Sequence, residues 1–386
     1  MKVLMAAPYF YPRIGGMENY VFNISKLLVQ KYSADVSVVC SNWGREGYKE
    51  ETIENIKVYR LPYLFKISST PVNPFWHREI TSIILKEKPD IINGHTPVPY
   101  LADVACRIAH KEKIPFILTY QNDLVGTSSL FRLLSKSYYR ILGFKTLALS
   151  STILVTSQHY AQSSPYLRSF RPKIRIAPVG FDTGRFDVIP KYFSNGNKQV
   201  LFVGQLNKAS QHKGLDYLIE AMKTVAEVIE GAELLVIGNV DYIAHYKKLA
   251  GESGIGNRIK FTGFVPDEEL PKYYNQSNVV VLPSYNRAEG FGIVLVEAQA
   301  CGRPVIGTTV GGIPSAIKDG ETGMLVPPKN PQALAQAIIK LLTDKELAKK
   351  LGESGYKRAR EEFSWEKSAE RNYEIYQEIL SLRKKA

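Results

Sequence analysis

Residues 199–225, QVLFVGQLNKASQHKGLDYLIEAMKTV, place an apolar run of strand length before a short polar loop and an amphipathic helical pattern. Further apolar runs follow at 233–238, 259–264, 278–284 and 304–308, and each precedes a helical pattern or a turn. Strands that alternate with helices are typical of a parallel sheet covered by helices. The second half of the chain is therefore predicted to form an α/β domain over residues 198–364.

The first half of the chain repeats this organisation. Apolar runs lie at 2–8, 36–40, 91–93, 115–120 and 152–157, and a helical pattern runs from about Glu18 to Lys31. We predict a similar domain over residues 1–180, followed by a linker at 181–197 that is rich in Pro, Gly, Asn and charge. Helical patterns at 332–342 and 347–382 end the chain, and the helix over about 365–386 can pack back on the first domain.

The composition is that of an ordinary soluble protein. Of the 386 residues, 45% are hydrophobic and 23% are charged, and the mean hydropathy is −0.15. No apolar run approaches the roughly 20 residues that cross a bilayer, and the opening apolar stretch is interrupted at Pro8, which favours a buried strand over a signal peptide. Three widely spaced cysteines, Cys40, Cys106 and Cys301, argue against a disulfide framework or a zinc site. We therefore expect a cytoplasmic protein.

The net charge of +13 is concentrated in the first half, where residues 1–187 hold 24 Lys and Arg against 14 Asp and Glu. Between Leu124 and Phe181 there are eight basic residues and no acidic one. Arg132, Lys136 and Arg140 recur every four residues on a predicted amphipathic helix. A solvated helix face and an anionic lipid surface are both open interpretations, whereas no nucleic-acid-binding motif accompanies the charge. Three such residues would supply about 3 kcal/mol near a lipid surface, which is enough for reversible association.

Three positions have residues suited to binding an anion or a sugar. Gly15 and Gly16 follow the first strand and open a helix, whose N-terminus favours negative charge. Lys213 lies beside another helix start, after a strand of the second domain. In the segment 283–317, Glu289 and Glu297 flank a glycine loop that opens a third helix, although capping and ion pairing would also explain either glutamate.

Motifs over essentially the whole chain resemble those of the retaining glycosyltransferases of family 4. They are GGME at 15–18, FVGQL with HKGLDYLIEA at 202–221, EGFGIVLVEA at 289–298, ACGRPVIGTTVGGIPSAI at 300–317, DGETGMLVPP at 319–328 and FSWEKSAERNYEIY at 363–376. The resemblance implies an α/β GT-B fold, in which two Rossmann-like doubly wound domains face a central cleft. It also implies that a sugar is transferred from a nucleotide diphosphate donor with retention of anomeric configuration.

The resemblance assigns expected roles to single residues. Lys213 matches the family lysine on the donor diphosphate, and Glu289 matches the glutamate that faces the sugar hydroxyls. Phe291, Gly292 and Ile293 match the loop that offers main-chain amides. Glu297 matches the ribose-binding carboxylate, and Gly16 matches the first-domain glycine that closes on the phosphate.

The sequence departs from the family pattern at two positions. Gln121, with Asp123 close by, stands where many relatives have a histidine on the transferred sugar, and Gln205 stands where many have an arginine on the diphosphate. His95 is a further candidate ligand on the acceptor side, and a loop histidine with an ordinary structural role is the alternative.

The expected activity is transfer of a hexose from a UDP- or GDP-linked donor to the hydroxyl of a lipid-linked or other glycoconjugate acceptor. This would occur at the inner face of the cell membrane, which Arg132, Lys136 and Arg140 would contact. No Asp-x-Asp is present, which fits the resemblance to GT-B enzymes that need no metal, and no cofactor is expected besides the nucleotide-sugar substrate. The alternatives are a soluble enzyme that builds a glucan or modifies a small phosphorylated acceptor, and a catalytically silent nucleotide-sugar-binding protein. A dehydrogenase is disfavoured because neither domain has the GxGxxG fingerprint.

Overall fold

The computed structural model describes residues 1–13, 15–43, 47–68, 70–125, 129–188, 198–239 and 241–385. The chain divides into two compact α/β units, the first formed by Met1–Gly180 with Trp365–Ala386 and the second by Phe181–Ser364. Residues 189–197 of the predicted linker lie outside the described residues. Its described part, 181–188, belongs to the second unit.

The described part of the first unit contains one large sheet and one separate hairpin. The strands of the sheet are β1 (Lys2–Ala6), β2 (Asp35–Ser41), β3 (Lys49–Ile53), β4 (Ile56–Leu61), β7 (Ile91–His95), β8 (Phe116–Tyr120), β9 (Thr152–Val155) and β10 (Ile174–Ile176). Their order is β10-β9-β8-β7-β1-β2-β4-β3, and the pairing is parallel except between β3 and β4. The hairpin consists of β5 (Phe65–Ile67) and β6 (Thr70–Val72), which pair with each other.

Helices cover both faces of this sheet. They are α1 (Gly16–Tyr32), α2 (Trp76–Glu87), α3 (Leu101–Lys111), α4 (Ser129–Tyr138), α5 (Phe144–Leu149), α6 (Gln158–Ser163) and, from the end of the chain, α14 (Trp365–Lys385). Trp76 of α2, Leu101 of α3 and Leu147 of α5 share one buried cluster. Ile24 of α1 and Tyr376 of α14 share the cluster on the other face. The terminal helix is therefore part of the first unit.

The second unit has a sheet that is parallel throughout its described strands. These are β11 (Lys198–Val203), β12 (Ala232–Ile237), β13 (Ile259–Gly263), β14 (Val279–Leu282), β15 (Val305–Thr308) and β16 (Met324–Val326), in the order β13-β12-β11-β14-β15-β16. The helices of this unit are α7 (Leu215–Val228), α8 (Ile243–Glu252), α9 (Leu270–Gln276), α10 (Ile293–Ala300), α11 (Ile313–Ala316), α12 (Pro331–Thr343) and α13 (Lys345–Glu362). The strand order reverses between β11 and β14, and ligands of open α/β sheets bind at such a reversal.

The observed helices differ from the sequence patterns at two places. The pattern over 347–382 is two helices, because α13 ends at Glu362 and α14 begins at Trp365, where the terminal helix was expected. At the break, the Phe181 amide donates a hydrogen bond to the Phe363 carbonyl, so the chain pairs there with another segment instead of continuing the helix. The segment 129–149 is interrupted by a wider π-helical turn at Tyr139–Gly143. That turn ends the regular four-residue repeat before Arg140.

Candidate functional site

Lys213 ends a short 3₁₀ turn, Lys208–Lys213, which connects β11 to α7. The next residue, Gly214, has a φ of +76°, and a Cβ there would lie 2.1 Å from the carbonyl oxygen of Pro283. Pro283 directly follows β14, so only glycine lets the lysine loop approach the end of that strand. Lys213 is thereby held at the point where the strand order of the second sheet reverses.

Lys213 and Glu289 meet in the structure as an ion pair. The Lys213 Nζ lies 3.0 Å from Glu289 Oε2. The Ser284 hydroxyl donates to the same oxygen at 3.0 Å, and the Gly292 amide donates to Oε1 at 3.1 Å. Both carboxylate oxygens are therefore held in place, while the lysine side chain keeps 21% of its surface exposed.

The charged form of Glu289 is favoured although the side chain is buried. Burial pushes the pKa of this carboxyl up, but the positive charge of Lys213, the neighbouring His212 and the hydrogen bond from Ser284 outweigh it and hold the pKa below its usual range. Burial, with Lys213 adding to it, lowers the pKa of His212. The centre at neutral pH is thus a lysine cation beside a carboxylate anion.

The loop after Glu289 is pressed against two further glycines. A Cβ on Gly311 would lie 2.0 Å from the Glu289 carbonyl oxygen, and one on Gly312 would lie 2.1 Å from that of Gly290. Gly292 itself has a φ of +83° and precedes α10. Its amide, predicted to meet the donor, is already bonded to Glu289.

Phe291 and Ile293, on either side of Gly292, differ in exposure. The Phe291 ring is buried against Phe363, so a donor could meet only its main chain. Ile293 begins α10 and is half-buried.

Glu297 lies on α10 and accepts a hydrogen bond from the Tyr274 hydroxyl at 2.8 Å. Burial raises the pKa of this carboxyl to about 7, against 4.5 in its absence, and the Tyr274 bond only partly offsets the effect. Glu297 is consequently shared between its protonated and charged forms near neutral pH. Gln205, the other donor-side candidate of this unit, is exposed and accepts a bond from Asn207.

In the first unit, the strand order reverses between β1 and β7, and two predicted residues lie there. Gly16 begins α1 directly after the loop from β1, and a Cβ on it would meet no heavy atom of the described chain within 4 Å. His95 ends β7 and is fully buried, with both ring nitrogens lacking a hydrogen-bond partner among the described residues. Burial lowers the pKa of His95 to about 3, so the imidazole is neutral. It belongs to a strand end and not to the loop that we expected.

Gln121 and Asp123 differ although they are two residues apart. Gln121 follows β8, and its Nε2 is buried without a partner among the described residues. Asp123 is 1% exposed and accepts bonds from the hydroxyls of Tyr120 (2.8 Å) and Ser164 (2.7 Å). Asp123 is therefore part of the packing of the first unit and is not accessible to a sugar acceptor. The Gln121 Nε2, by contrast, has no hydrogen-bond partner among the described residues.

Arg132, Lys136 and Arg140 are exposed, and so are Leu133 and Leu134 between them, whereas Tyr139 is buried. Leu130, Leu133 and Ile141 expose 64%, 63% and 69% of their surface. Most of the leucine and isoleucine side of the predicted amphipathic helix is therefore not packed on the described core, although Tyr139 is. Leu130, Leu133, Leu134, Ile141 and Phe144, with Arg132, Lys136 and Arg140, are called the helix patch below.

The described residues contain no group of three His, Cys, Asp or Glu side chains arranged to hold a metal ion. None of the described helices has both the length and the apolar character to cross a membrane.

Comparison with known proteins identifies the family of this chain. The sequence profile of the glycosyl transferases group 1 matches residues 187–358, and that of glycosyltransferase family 4 matches residues 14–185. The chain belongs to the family 4 glycosyltransferases. This glycosyltransferase is 26% identical to the GDP-mannose-dependent alpha-(1-6)-phosphatidylinositol monomannoside mannosyltransferase of Mycobacterium tuberculosis, over 95% of each chain.

Solved structures show the same fold. Sucrose-phosphate synthase from Thermosynechococcus elongatus superposes with a TM-score of 0.79 at 23% identity, over 99% of each chain. Anabaena HepE in complex with UDP and glucose superposes with a TM-score of 0.75 at 18% identity, over 98% of this chain and 100% of that one. Both likenesses concern the fold, which is the predicted GT-B class of two Rossmann-like α/β units.

Sequence reasoning missed Ser284 and Tyr274, the hydroxyl partners of the two glutamates. Ser284 follows β14 and is fully buried, and Thr308 in turn donates a hydrogen bond to its carbonyl. The position of Ser284 after a strand end was the only available signal. Tyr274 lies in a different helix from Glu297, so nothing in the spacing pointed to it.

Proposed function

We propose that this glycosyltransferase moves a hexose from a UDP- or GDP-linked donor to a hydroxyl of a lipid-linked or other glycoconjugate acceptor, with retention of configuration. The observation that carries the proposal is the meeting of Lys213 with Glu289 at the strand-order reversal of the second unit. A cation that is partly exposed, beside a fixed carboxylate, suits a ligand with a diphosphate next to sugar hydroxyls.

The donor would be bound by the second unit. Lys213 would move its charge towards the diphosphate, and Ser284 with the Gly292 amide would keep Glu289 oriented while the lysine is shared. Glu289 would then accept hydrogen bonds from the sugar, and Glu297 from the ribose. The HepE structure, with UDP and glucose bound, supports a nucleotide sugar of this class.

In the proposed reaction, the bond between the anomeric carbon and the phosphate oxygen breaks as the acceptor oxygen bonds to that carbon on the same face. The acceptor proton passes to the departing diphosphate. Negative charge grows on the phosphate, and Lys213 at about 4 Å would stabilise it by about 4 kcal/mol at an effective dielectric of 20, before desolvation. That energy corresponds to about a thousandfold in rate.

The acceptor would be presented at an anionic membrane surface, with the enzyme peripheral on the cytoplasmic side. The helix patch supports this because it offers apolar and cationic groups together. The mannosyltransferase of Mycobacterium tuberculosis, whose name specifies a phosphatidylinositol acceptor, also supports it.

A thermal-shift screen against UDP-, GDP- and ADP-sugars, followed by transfer assays, tests the proposal. A bound donor at 100 times its dissociation constant adds about 2.7 kcal/mol of stability. We expect one UDP- or GDP-sugar to stabilise the protein and to be transferred to a lipid extract. Transfer to soluble sugars alone would overturn the lipid acceptor, and no response to any of these donors would overturn the donor class. Inversion at the product's anomeric carbon, measured by NMR, would overturn retention.

A further inference from the structure

The hairpin between β4 and α2 is a second exposed apolar surface of the first unit. Leu64, Phe65, Ile67 and Phe75 expose 57%, 46%, 53% and 65% of their surface. Strands β5 and β6 pair with each other and join no other described strand. These four residues are called the hairpin patch. Large apolar side chains that are exposed together on one short segment are typical of a surface that contacts another protein or a membrane.

The hairpin patch also lies in a stretch without acidic residues. From Leu61 to Arg78 the chain holds no Asp or Glu, and its Lys66 and Arg78 are exposed, whereas Arg60 just before it is buried and paired with Glu51. The Lys66 ammonium lies over the rings of Tyr63 and Tyr9, at 4.9 and 5.7 Å from their centroids. A partner that contacts the hairpin therefore meets apolar groups beside positive charge.

The fold places the hairpin patch and the helix patch at the same edge of the first sheet. Each lies in a connection that leaves the carboxyl end of a parallel strand, β4 or β8, and leads into a helix on the same face. The N-terminal end of α3 contacts both connections: the hydroxyl of its N-cap residue Tyr100 donates to the Asn73 carbonyl, and the Tyr138 hydroxyl donates to Asp103. Two apolar and basic surfaces thus flank one helix end.

We propose that the hairpin patch inserts into the headgroup region of an anionic bilayer and, with the helix patch, docks the first unit on the membrane at two points. This deepens the proposed function, because it rests on the enzyme acting at a lipid surface. An anionic bilayer is the occupant that fits both properties, since its acyl boundary accepts apolar side chains and its phosphates attract the cations. Two points of contact would fix the tilt of the first unit relative to the membrane plane, whereas contact through one helix alone would not.

Insertion is tested with an environment-sensitive dye on a new cysteine. The three native cysteines are buried, so Ile67→Cys can be labelled selectively in the full-length protein. Leu85→Cys is the matched control, because Leu85 exposes 57% of its surface but lies near the C-terminal end of α2. With vesicles containing anionic phosphatidylglycerol, the dye at 67 should become brighter and blue-shifted while that at 85 stays unchanged. Bound protein with no response at 67 would overturn the proposal.

Vesicle flotation separates the two surfaces. Leu64→Ser, Phe65→Ser and Ile67→Ser combined should weaken binding at least tenfold and leave its salt dependence intact, because apolar contacts are not screened. Charge reversal of Arg132, Lys136 and Arg140 should instead weaken the salt dependence, because only the cations beside the hairpin patch then remain. The combination Leu85→Ser, Val228→Ser and Leu382→Ser removes three residues of similar exposure (57%, 61% and 60%) and should bind as wild type does.

Other outcomes overturn the proposal in recognisable ways. If the hairpin variant changes sedimentation and not vesicle binding, the patch is an interface with a second copy. If it binds vesicles as wild type does, the hairpin is no membrane contact. Stabilisation by the donor in the thermal-shift screen needs no membrane. Failure of the proposed donor class is therefore distinguishable from failure of the proposed hairpin contact with the membrane.

Discussion

At the scale of single residues, Glu289 and Glu297 follow one strand but differ in the charge they carry. Lys213 faces Glu289 and outweighs the effect of burial, so its pKa is low. Glu297 has a neutral hydroxyl as its bonded partner, and burial raises its pKa to about 7. Glu289 is therefore suited to act as a fixed anion beside Lys213, and Glu297 to act as a hydrogen-bond acceptor that becomes charged near neutral pH.

Replacing Glu297 by Gln should change how stability depends on pH. Because the folded protein holds this proton more tightly than the unfolded chain does, wild-type stability falls as pH rises from 4.5 through 7. Relative to Glu297→Gln, the wild type should lose about 2 kcal/mol of unfolding free energy between about pH 5 and pH 8. Urea unfolding at several pH values measures this. A difference that stays flat would mean that Glu297 does not titrate in this range.

Replacing Gly16 by Ala tests whether this glycine is needed for the fold or for the approach of the donor. The added Cβ meets nothing within 4 Å, and Ala favours the first turn of α1, so stability should be unchanged or up to about 1 kcal/mol higher. If a phosphate approaches this backbone, kcat/KM should fall at least tenfold. Thermal unfolding and transfer kinetics check both halves. Activity at the wild-type level would exclude a close approach of donor to Gly16.

Sequence alone assigned Lys213 and Glu289 to one donor site only through the family resemblance, because 76 residues separate them, and it did not predict their ion pair. It did not reach the burial that decides each side chain's use. Asp123 and His95 both follow or end strands and looked alike as candidates, yet neighbouring hydroxyls satisfy Asp123 while both ring nitrogens of His95 lack partners among the described residues. Such differences arise from elements distant in the chain.

At the scale of elements, α14 is fixed to the first unit by buried polar contacts. The Tyr376 hydroxyl donates to Asn93 Oδ1 at 2.7 Å, in the strand β7 that ends at His95. Asn372 donates to the Tyr20 hydroxyl of α1 at 2.9 Å. A Cβ on Gly180 would lie 2.5 Å from the Trp365 backbone, so the start of the helix is also closely packed.

Tyr376→Phe should therefore destabilise the first unit without altering the donor site. Loss of a buried hydrogen bond costs about 1 kcal/mol. Tyr373→Phe is the matched control, because its ring stacks on Tyr32 and this contact would be kept. The urea midpoint should fall for the first variant and not for the second, while donor binding is the same in both. Equal midpoints would mean that the Asn93 contact contributes nothing.

The elements that sequence patterns missed have identifiable causes. The alternation of strands and helices was confirmed for both units because apolar runs with a clear period mark buried strands. The helical pattern alone runs through the break at Phe363 because no glycine or proline marks it, and the helix is ended by pairing with Phe181. The hairpin β5–β6 was missed because its apolar residues are exposed, and a pattern predicts burial only where a core is available.

At the scale of the whole molecule, the basic excess of the first half has a structural counterpart. The cations of the helix patch are exposed, and they lie among exposed apolar side chains. The second half, with its nearly balanced charge, contains the lysine and the two glutamates assigned to the donor. Charge composition thus separates the unit proposed to contact lipid from the unit proposed to bind the nucleotide sugar.

The turnover of Lys213→Ala with the donor found in the screen tests the central claim most directly. Lys208→Ala is the control, since Lys208 is an exposed lysine of the same 3₁₀ turn. If Lys213 stabilises the departing diphosphate, the kcat of Lys213→Ala should fall at least a hundredfold, while that of Lys208→Ala stays near wild type. Circular dichroism checks that both variants are folded. A Lys213→Ala enzyme that keeps more than about a tenth of wild-type turnover would contradict this account of the site.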